Sequence, residues 1–597
     1  MKMHKYGFWF WAILVLMTSC GSTPYPESGD VPTLAPPAAT LHAPSGATYY
    51  VAPDGNDDTN DGSEAHPWQT IQHAVEQLVP GDTVLVKSGT YAGARLESSG
   101  TVTAPLTLKA APGATVVINT PGPQNAHESG LEIENWDTPV AYWVIEGLEV
   151  TGAPGWGIDI RGGEEIHAHH ITVRGNHVHD NGLSNERTGI FAAFTDDVLI
   201  ENNETHHNGE HGIYVNNSSK RFIIRGNISH DNVYCGIHLN GDAEMGGDGV
   251  LSDGQVTGNT LYENGTGGGA AINMDGVSQT LVANNLIYAN HATGIALFQE
   301  NGAVCSSDNY VVHNTILIAD DGRWAMLVAA DDCTGNIILN NIFYSDHSYR
   351  GSINVPAGLS SLVSDYNVVV DRFTTDDGDS ILTLAQWQAL GYDGHSFLGT
   401  PDVLFVDPVG HDYRLRADSP AVDAGSTEAG IAVDLAGDPR PAGAGYDIGA
   451  FELQAETPFT PTATVFLPLV TATAAASSPP APAGHITYRM GDRLYRVAAQ
   501  GGATPENVSA ALDMLSAGAD DEWLNVSPDG AWSLASTGRF DPECIEWACL
   551  VLVKSDYSSY EVVRADGTLL HPAFSAVASG GAPIVYPEEG DSHALDL

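Results

Sequence analysis

The chain has 597 residues, too many for one ordinary hydrophobic core, so two or more folded units are expected. Its 74 acidic residues against 23 Lys plus Arg give a formal charge of −51. Such a surface repels nucleic acid and anionic lipid, and suits an exported protein able to hold divalent cations. Sixty-five glycines and only 16% charged residues favour turn-rich β structure and argue against helical bundles.

The N-terminus reads MKMHKYGFWFWAILVLMTSCGS. Two lysines precede an apolar run, Phe8 to Met17, that ends in small residues at Cys20, the pattern of an export signal over residues 1–20. MTSC resembles the lipobox of bacterial lipoproteins, which implies cleavage before Cys20 and lipid attachment to its thiol. Met17 stands where that box usually has Leu, and a plain secretory signal is the alternative. No later run is long enough to span a bilayer. Residues 21–47 are rich in Pro, Ser and Ala and form a tether.

The main body opens with a strand, an Asp/Asn/Gly loop over Asp54 to Asp61, and a helix. Trp68, Ile71, Ala74, Val75 and Leu78 share one face of that helix, and PGDTVLV turns back into a strand. The Asp-rich loop lacks the terminal Glu of an EF-hand and reads as a solvated turn. This opening resembles that of exported right-handed parallel β-helix proteins of the pectate-lyase-like superfamily, in which the helix covers the first open coil. The fold class is therefore expected to be all-β, a right-handed parallel β-helix over residues 48–385 with an N-terminal capping helix.

Internal repeats carry the same expectation. Asn176, Asn203, Asn227, Asn259, Asn285, Asn314 and Asn341 recur at turns, and a second series runs through Asn181, Asn208, Asn232, Asn264 and Asn290. The shortest spacings are those of a β-solenoid coil, in which no coil buries its own apolar face and stacking alone makes a core. Each Asn amide is expected to bond the coils above and below. His179, His206, His230, Tyr262 and Tyr288 fall at one equivalent position and are expected to stack as scaffold.

Side chains alternate across a strand. With Ile213/Val215, Ile237/Leu239 and Ile272/Met274 pointing inward, the intervening residues form two outward columns. The first is Asp159, Phe191, Tyr214, His238, Asn273 and Ala296; the second is Arg161, Ala193, Asn216, Asn240, Asp275 and Phe298. An insertion after the His238 strand, GDAEMGGDGVLSDG, brings Asp242 and Asp248, and such insertions commonly build one wall of a cleft. Cys235 reads as a small buried hydrophobe.

The pectate-lyase-like resemblance implies a polysaccharide in a shallow groove on the outer face of a parallel sheet. Uronate β-elimination or epimerisation needs a base, an acid for the leaving oxygen, and something to neutralise the carboxylate. The candidate catalytic residues are Tyr214, His238 and Asp275; the candidate substrate-binding residues are Asn216, Asn240, Asn273, Arg161 and Lys220. Ca2+ held by Asp242, Asp248 and Asp275 would assist. A lyase with a Lys base would have to use Lys220. Glycoside hydrolysis by Asp275 with Asp242 or Asp248 is the first alternative; a non-catalytic glycan-binding or adhesive surface protein is the second. Convergence of Asp242 and Asp248 on Asp275 and His238 in a groove would favour an enzyme, and their splaying into solvent a binder.

Residues 386–454 change style and resemble the closing segment of bacterial surface β-helices. A Thr/Pro/Ala-rich linker covers 455–483. Residues 484–597 carry hairpin-like strands, and VSPDGAW resembles β-propeller blades, of which two or three fit, as a truncated propeller or a small β domain. Cys305 and Cys333 lie about one repeat apart, and Cys544 and Cys549 fall within a hairpin's reach, so both pairs suit disulfides in an exported chain.

Overall fold

A computed structural model describes residues 46–454 apart from Ser360, together with the backbone of strands within residues 485–595. The export signal, Cys20, most of the first tether, the 455–483 linker and the side chains behind the propeller and Cys544/Cys549 expectations lie outside the described residues. No helix among the described residues is long and apolar enough to cross a membrane.

The body is a parallel β-solenoid of about 12 turns, built from three parallel sheets of 13, 11 and 12 strands. Every interior position read from the alternation is occupied as expected: Ile213, Val215, Ile237, Leu239, Ile272 and Met274 are all fully buried in one continuous core. The opening helix, Ile71–Glu76, starts at Thr70, whose hydroxyl accepts from the His73 amide. Trp68, Ile71, Ala74, Val75 and Leu78 join the core from it and its flanks, covering the first coil. At the far end the helix Leu384–Gln388 brings Trp387 into the same core, stacked on Phe373 at 5.0 Å.

Two asparagine ladders fix the turns. From Asn176 through Asn203, Asn227, Asn259, Asn285, Asn314 and Asn341 to Asn367, each Nδ2 donates to the next Oδ1 at 2.9–3.1 Å. The second, Asn181 to Asn290, does the same at 2.9–3.2 Å. The residue before each rung of the second ladder (Asp180, His207, Asp231, Glu263, Ala289) has φ between 51° and 54°. A left-handed residue turns the chain, and the following amide bonds its neighbours along the axis. Beside this ladder the rings of His179, His206, His230, Tyr262 and Tyr288 stack with centroids 4.6–5.1 Å apart, as the repeat implied.

Residues beyond 400 run back along the outside of the coils. Leu404, Phe405, Tyr413, Leu415 and Ile448 bury against Leu286, Leu317, Ile342 and Val368. Asn340 holds Ser426, donating to its carbonyl and accepting from its amide at 2.9 and 2.7 Å. Cys305 and Cys333 form a disulfide, and Cys235 is free and buried. Residues 461–597 are a separate unit whose described strands pair antiparallel, the longest run joining Asp521–Val526, Trp532–Thr537, Cys549–Lys554 and Tyr560–Arg564.

Candidate active site

The two outward columns exist in the register expected. Asp159, Phe191, Tyr214, His238, Asn273 and Ala296 are successive partners across six strands, and Arg161, Ala193, Asn216, Asn240, Asp275 and Phe298 are the parallel set. Their environments differ. Tyr214, His238 and Asn273 are half-buried and reachable, whereas Asn216, Asn240 and Asp275 are covered.

The reachable column forms one connected group. The rings of Tyr214 and His238 lie 4.5 Å apart. Asn273 donates from Nδ2 to His238 Nδ1 at 3.0 Å, and Asn240 donates from Nδ2 to the Tyr214 phenol oxygen at 2.9 Å. Burial raises the Tyr214 phenol well above its ordinary range and pushes His238 down to about 3, so phenol and imidazole are both neutral near pH 7.

One member of the group was not on the outward columns read from sequence. His211 stacks on His238 at 4.6 Å and meets Tyr214 edge-on at 5.2 Å. It sits two residues before Ile213, on the inward parity, and reaches this face only because it precedes the strand Ile213–Asn216 and does not follow its alternation. Its Nδ1 accepts from the Cys235 amide at 3.0 Å, while Nε2 faces Glu210 at 3.6 Å. Burial, then His238, holds His211 well below the usual imidazole range, and burial raises Glu210. Cys235 lies against this group with its thiol pushed up to about 12 by burial, which makes it inert as a nucleophile.

The roles expected of the covered column need correction. Both oxygens of Asp275 are taken by backbone amides: Oδ1 accepts from Glu300 at 2.9 Å and Gly302 at 3.0 Å, and Oδ2 from Asn301 at 2.7 Å. A carboxylate so engaged anchors the 299–302 loop and is neither base nor nucleophile. Asn240 positions Tyr214 through Nδ2 and accepts from the Asp242 amide, so its amide is engaged at both ends; Asn216 accepts from the Asn217 amide through Oδ1.

The inserted loop commits Asp248 to another partner. It folds back over the turn after the Tyr214 strand: Gly249 donates to Ser218 Oγ at 2.9 Å. Gly247, at φ 72°, passes so close that a Cβ would stand 2.3 Å from that hydroxyl. Asp248 is thereby brought to Lys220, Nζ to Oδ2 2.5 Å, instead of converging on His238. With Asp248 paired to a lysine and both Asp275 oxygens accepting from amides, two of the three expected Ca2+ ligands, and the Asp275 member of the expected hydrolase pair, are already engaged.

Arg161 lies three coils from His238, about 14 Å along the axis. It pairs with buried Asp159 at 2.8 Å and lies over the rings of Trp156 and Phe191 at 4.4 and 4.7 Å. Arg187 covers Trp156 at 4.7 Å. Trp156, Arg187, His127 and Asn185 line a surface cavity of about 500 Å3. Two guanidinium groups on one indole, that of Arg161 already paired with Asp159, make a flat-walled polar spot.

Residues 49–319 match the family described as Pel9A-like, right-handed β-helix region. The chain is 24% identical over 443 residues to the uncharacterized protein YwoF of Bacillus subtilis, covering 63% of this chain and 92% of that protein. It is 31% identical over 219 residues to pectate lyase PEL9 of Emericella nidulans, spanning 34% of this chain and about half, 52%, of that relative. A crystal structure of pectate lyase Pel9A superposes with a TM-score of 0.47 at 18% identity, covering 68% of this chain and 96% of that one.

Proposed function

We propose that this protein is an exported carbohydrate-active enzyme, lipid-anchored through Cys20, and that it is a polysaccharide lyase or epimerase acting on uronate-containing glycans. The family match over residues 49–319 and the likeness to a relative named as a pectate lyase support the class. The observation that carries the reaction is the neutral Tyr214–His238–His211 group, reachable on the outer face of the solenoid.

Removing a proton beside a carboxylate needs a base, and the bond to the leaving oxygen needs an acid. Tyr214 accepts a hydrogen bond from Asn240, which leaves its own phenol proton free to be given to the leaving oxygen. Asn273 sets the tautomer of His238. With Nδ2 on Nδ1, the Nε2 proton can hydrogen-bond the substrate carboxylate. A half-turn of the amide puts Oδ1 there and leaves Nε2 bare to accept a proton, a weak base at about 3 that a bound substrate carboxylate would strengthen. Lys220 is held by Asp248 as an ion pair and must leave it to serve as a base. Arg161 and Arg187 beside Trp156 suit a neighbouring uronate, about 10 Å along the axis from His211.

The test is a polysaccharide panel followed both by ultraviolet absorbance of unsaturated uronates and by reducing-end release, with and without added Ca2+. A lyase gives both signals and loses both in His238→Ala. An epimerase gives neither signal but exchanges the proton beside the carboxylate with D2O; reducing ends without ultraviolet absorbance would replace the reading by hydrolysis, and glycan binding with neither product nor proton exchange by a surface adhesin.

A further inference from the structure

The stacked column beside the second asparagine ladder has a repeating hydrogen-bond scheme with one exception. In two coils the ring nitrogens face carboxylates. His179 meets Asp180 at 2.7 Å through Nδ1 and Glu149 at 3.4 Å through Nε2. His230 meets Asp231 at 2.7 Å and Glu204 at 3.2 Å in the same way. The coil between breaks the scheme. His206 Nδ1 faces His207 Nδ1 at 2.7 Å, and His206 Nε2 faces His177 Nε2 at 2.6 Å. Two imidazole nitrogens at that separation repel unless a proton or a cation lies between them. Glu204 stands beside the pair, with Oε2 4.0 Å from His177 Nε2. One ligand atom from each of His177, Glu204 and His206 falls within 4.8 Å of the others.

We infer that His177, Glu204 and His206 form a binding site for a zinc-class divalent ion that joins two consecutive coils. Two imidazoles and a carboxylate suit Zn2+ or Ni2+, whereas Ca2+ prefers six or more oxygens. Tetrahedral ligation with Zn–N bonds of 2.0–2.1 Å places two nitrogens about 3.4 Å apart. The pair therefore needs to open by under an ångström, and both rings are only half-buried. The site lies on a different sheet from Tyr214 and His238 and does not depend on what that face does.

Isothermal titration of the chelator-treated full chain with ZnCl2, and separately with CaCl2, tests the inference. One equivalent of Zn2+ is expected, with no competition from Ca2+. His206→Tyr keeps a ring in the stack, as Tyr262 and Tyr288 already do, and removes the ligand. It and His177→Gln should each weaken Zn2+ by more than about 10-fold, the lower bound seen even for outer-sphere partners. Cys235→Ser should leave binding unchanged, because it alters only the separate His211/Cys235/His238 group. Circular dichroism establishes that each variant is folded; if His206→Tyr is not, His177→Gln decides. No Zn2+ binding by the folded chain, undiminished binding in the variants, or loss confined to Cys235→Ser would overturn the assignment.

Discussion

The amide of Asn240 reaches back one coil to donate to the phenol oxygen of Tyr214 at 2.9 Å, so a residue of the covered column holds one of the reachable column in place. Tyr214→Phe removes the proton donor and leaves that amide without its partner. On a glycan the native protein turns over, kcat is expected to fall by about 100-fold or more, the usual reach of a general acid. The stability cost should be only about 1 kcal/mol. Steady-state kinetics beside urea denaturation separates the two; unchanged kcat would remove Tyr214 from the reaction.

Asp275→Asn tests the corrected role of that carboxylate. One of its oxygens becomes an NH2 group facing backbone N–H donors from the 299–302 loop. Loss of charge-assisted bonds of this kind costs about 2–4 kcal/mol. The variant should unfold at lower denaturant, and any Ca2+ response of the activity should be retained. Native-like stability together with a lost Ca2+ response would restore Asp275 as a metal ligand.

These corrections mark where sequence reading stops. Period-two alternation forced Ile237 and Leu239 inward and hence His238 outward, because a slip of one residue would have placed an imidazole in an aliphatic core. The ladder from Asn181 to Asn290 was legible for a similar reason: every coil repeats the same turn. His211 was not legible, because it shares the inward parity of Ile213 and reaches the outer face only from outside the strand. The fate of Asp275 and Asp248 was not legible at all. That of Asp275 depends on the 299–302 loop and that of Asp248 on the path of the 241–254 insertion, set by contacts such as Gly247 over Ser218, and neither has a periodic signal.

Asn232→Ala should damage the rod and leave the chemistry alone. Its Oδ1 accepts from the backbone and side-chain amides of Asn208 at 3.1 and 3.0 Å, and its Nδ2 donates to Asn264 at 2.9 Å. All three residues are buried, so the truncation strands donors and an acceptor away from water. A loss of about 3–5 kcal/mol in equilibrium unfolding is expected, with kcat of the folded fraction unchanged. A stability change under about 1 kcal/mol would mean the ladder is ornamental.

Acid should destabilise the solenoid before ordinary carboxylates titrate. Burial lowers His211 and His313 well below the usual range and His238 to about 3. An unfolded chain protonates these imidazoles near pH 6.5, so it binds protons that the folded chain refuses. The stability they contribute is full above about pH 6.5 and is lost as pH falls toward 3. Asp159 and Asp447, raised to about 6 by burial, act in the opposite sense, favouring the folded state below that pH. Their effect is largest between about 4 and 6, where it offsets part of the histidine slope, and it fades as the last protons leave above pH 6. Urea midpoints should therefore rise between pH 6 and 7, where the opposition from these two carboxyls is dying away. His313, fully buried against Asn340 at 3.2 Å, can be replaced by Gln without losing a partner for that amide. His313→Gln should flatten the rise by about one proton's worth, roughly 1.4 kcal/mol per pH unit at its steepest. A slope identical to that of the native protein would show that His313 accepts its proton in the folded state as readily as in the unfolded one.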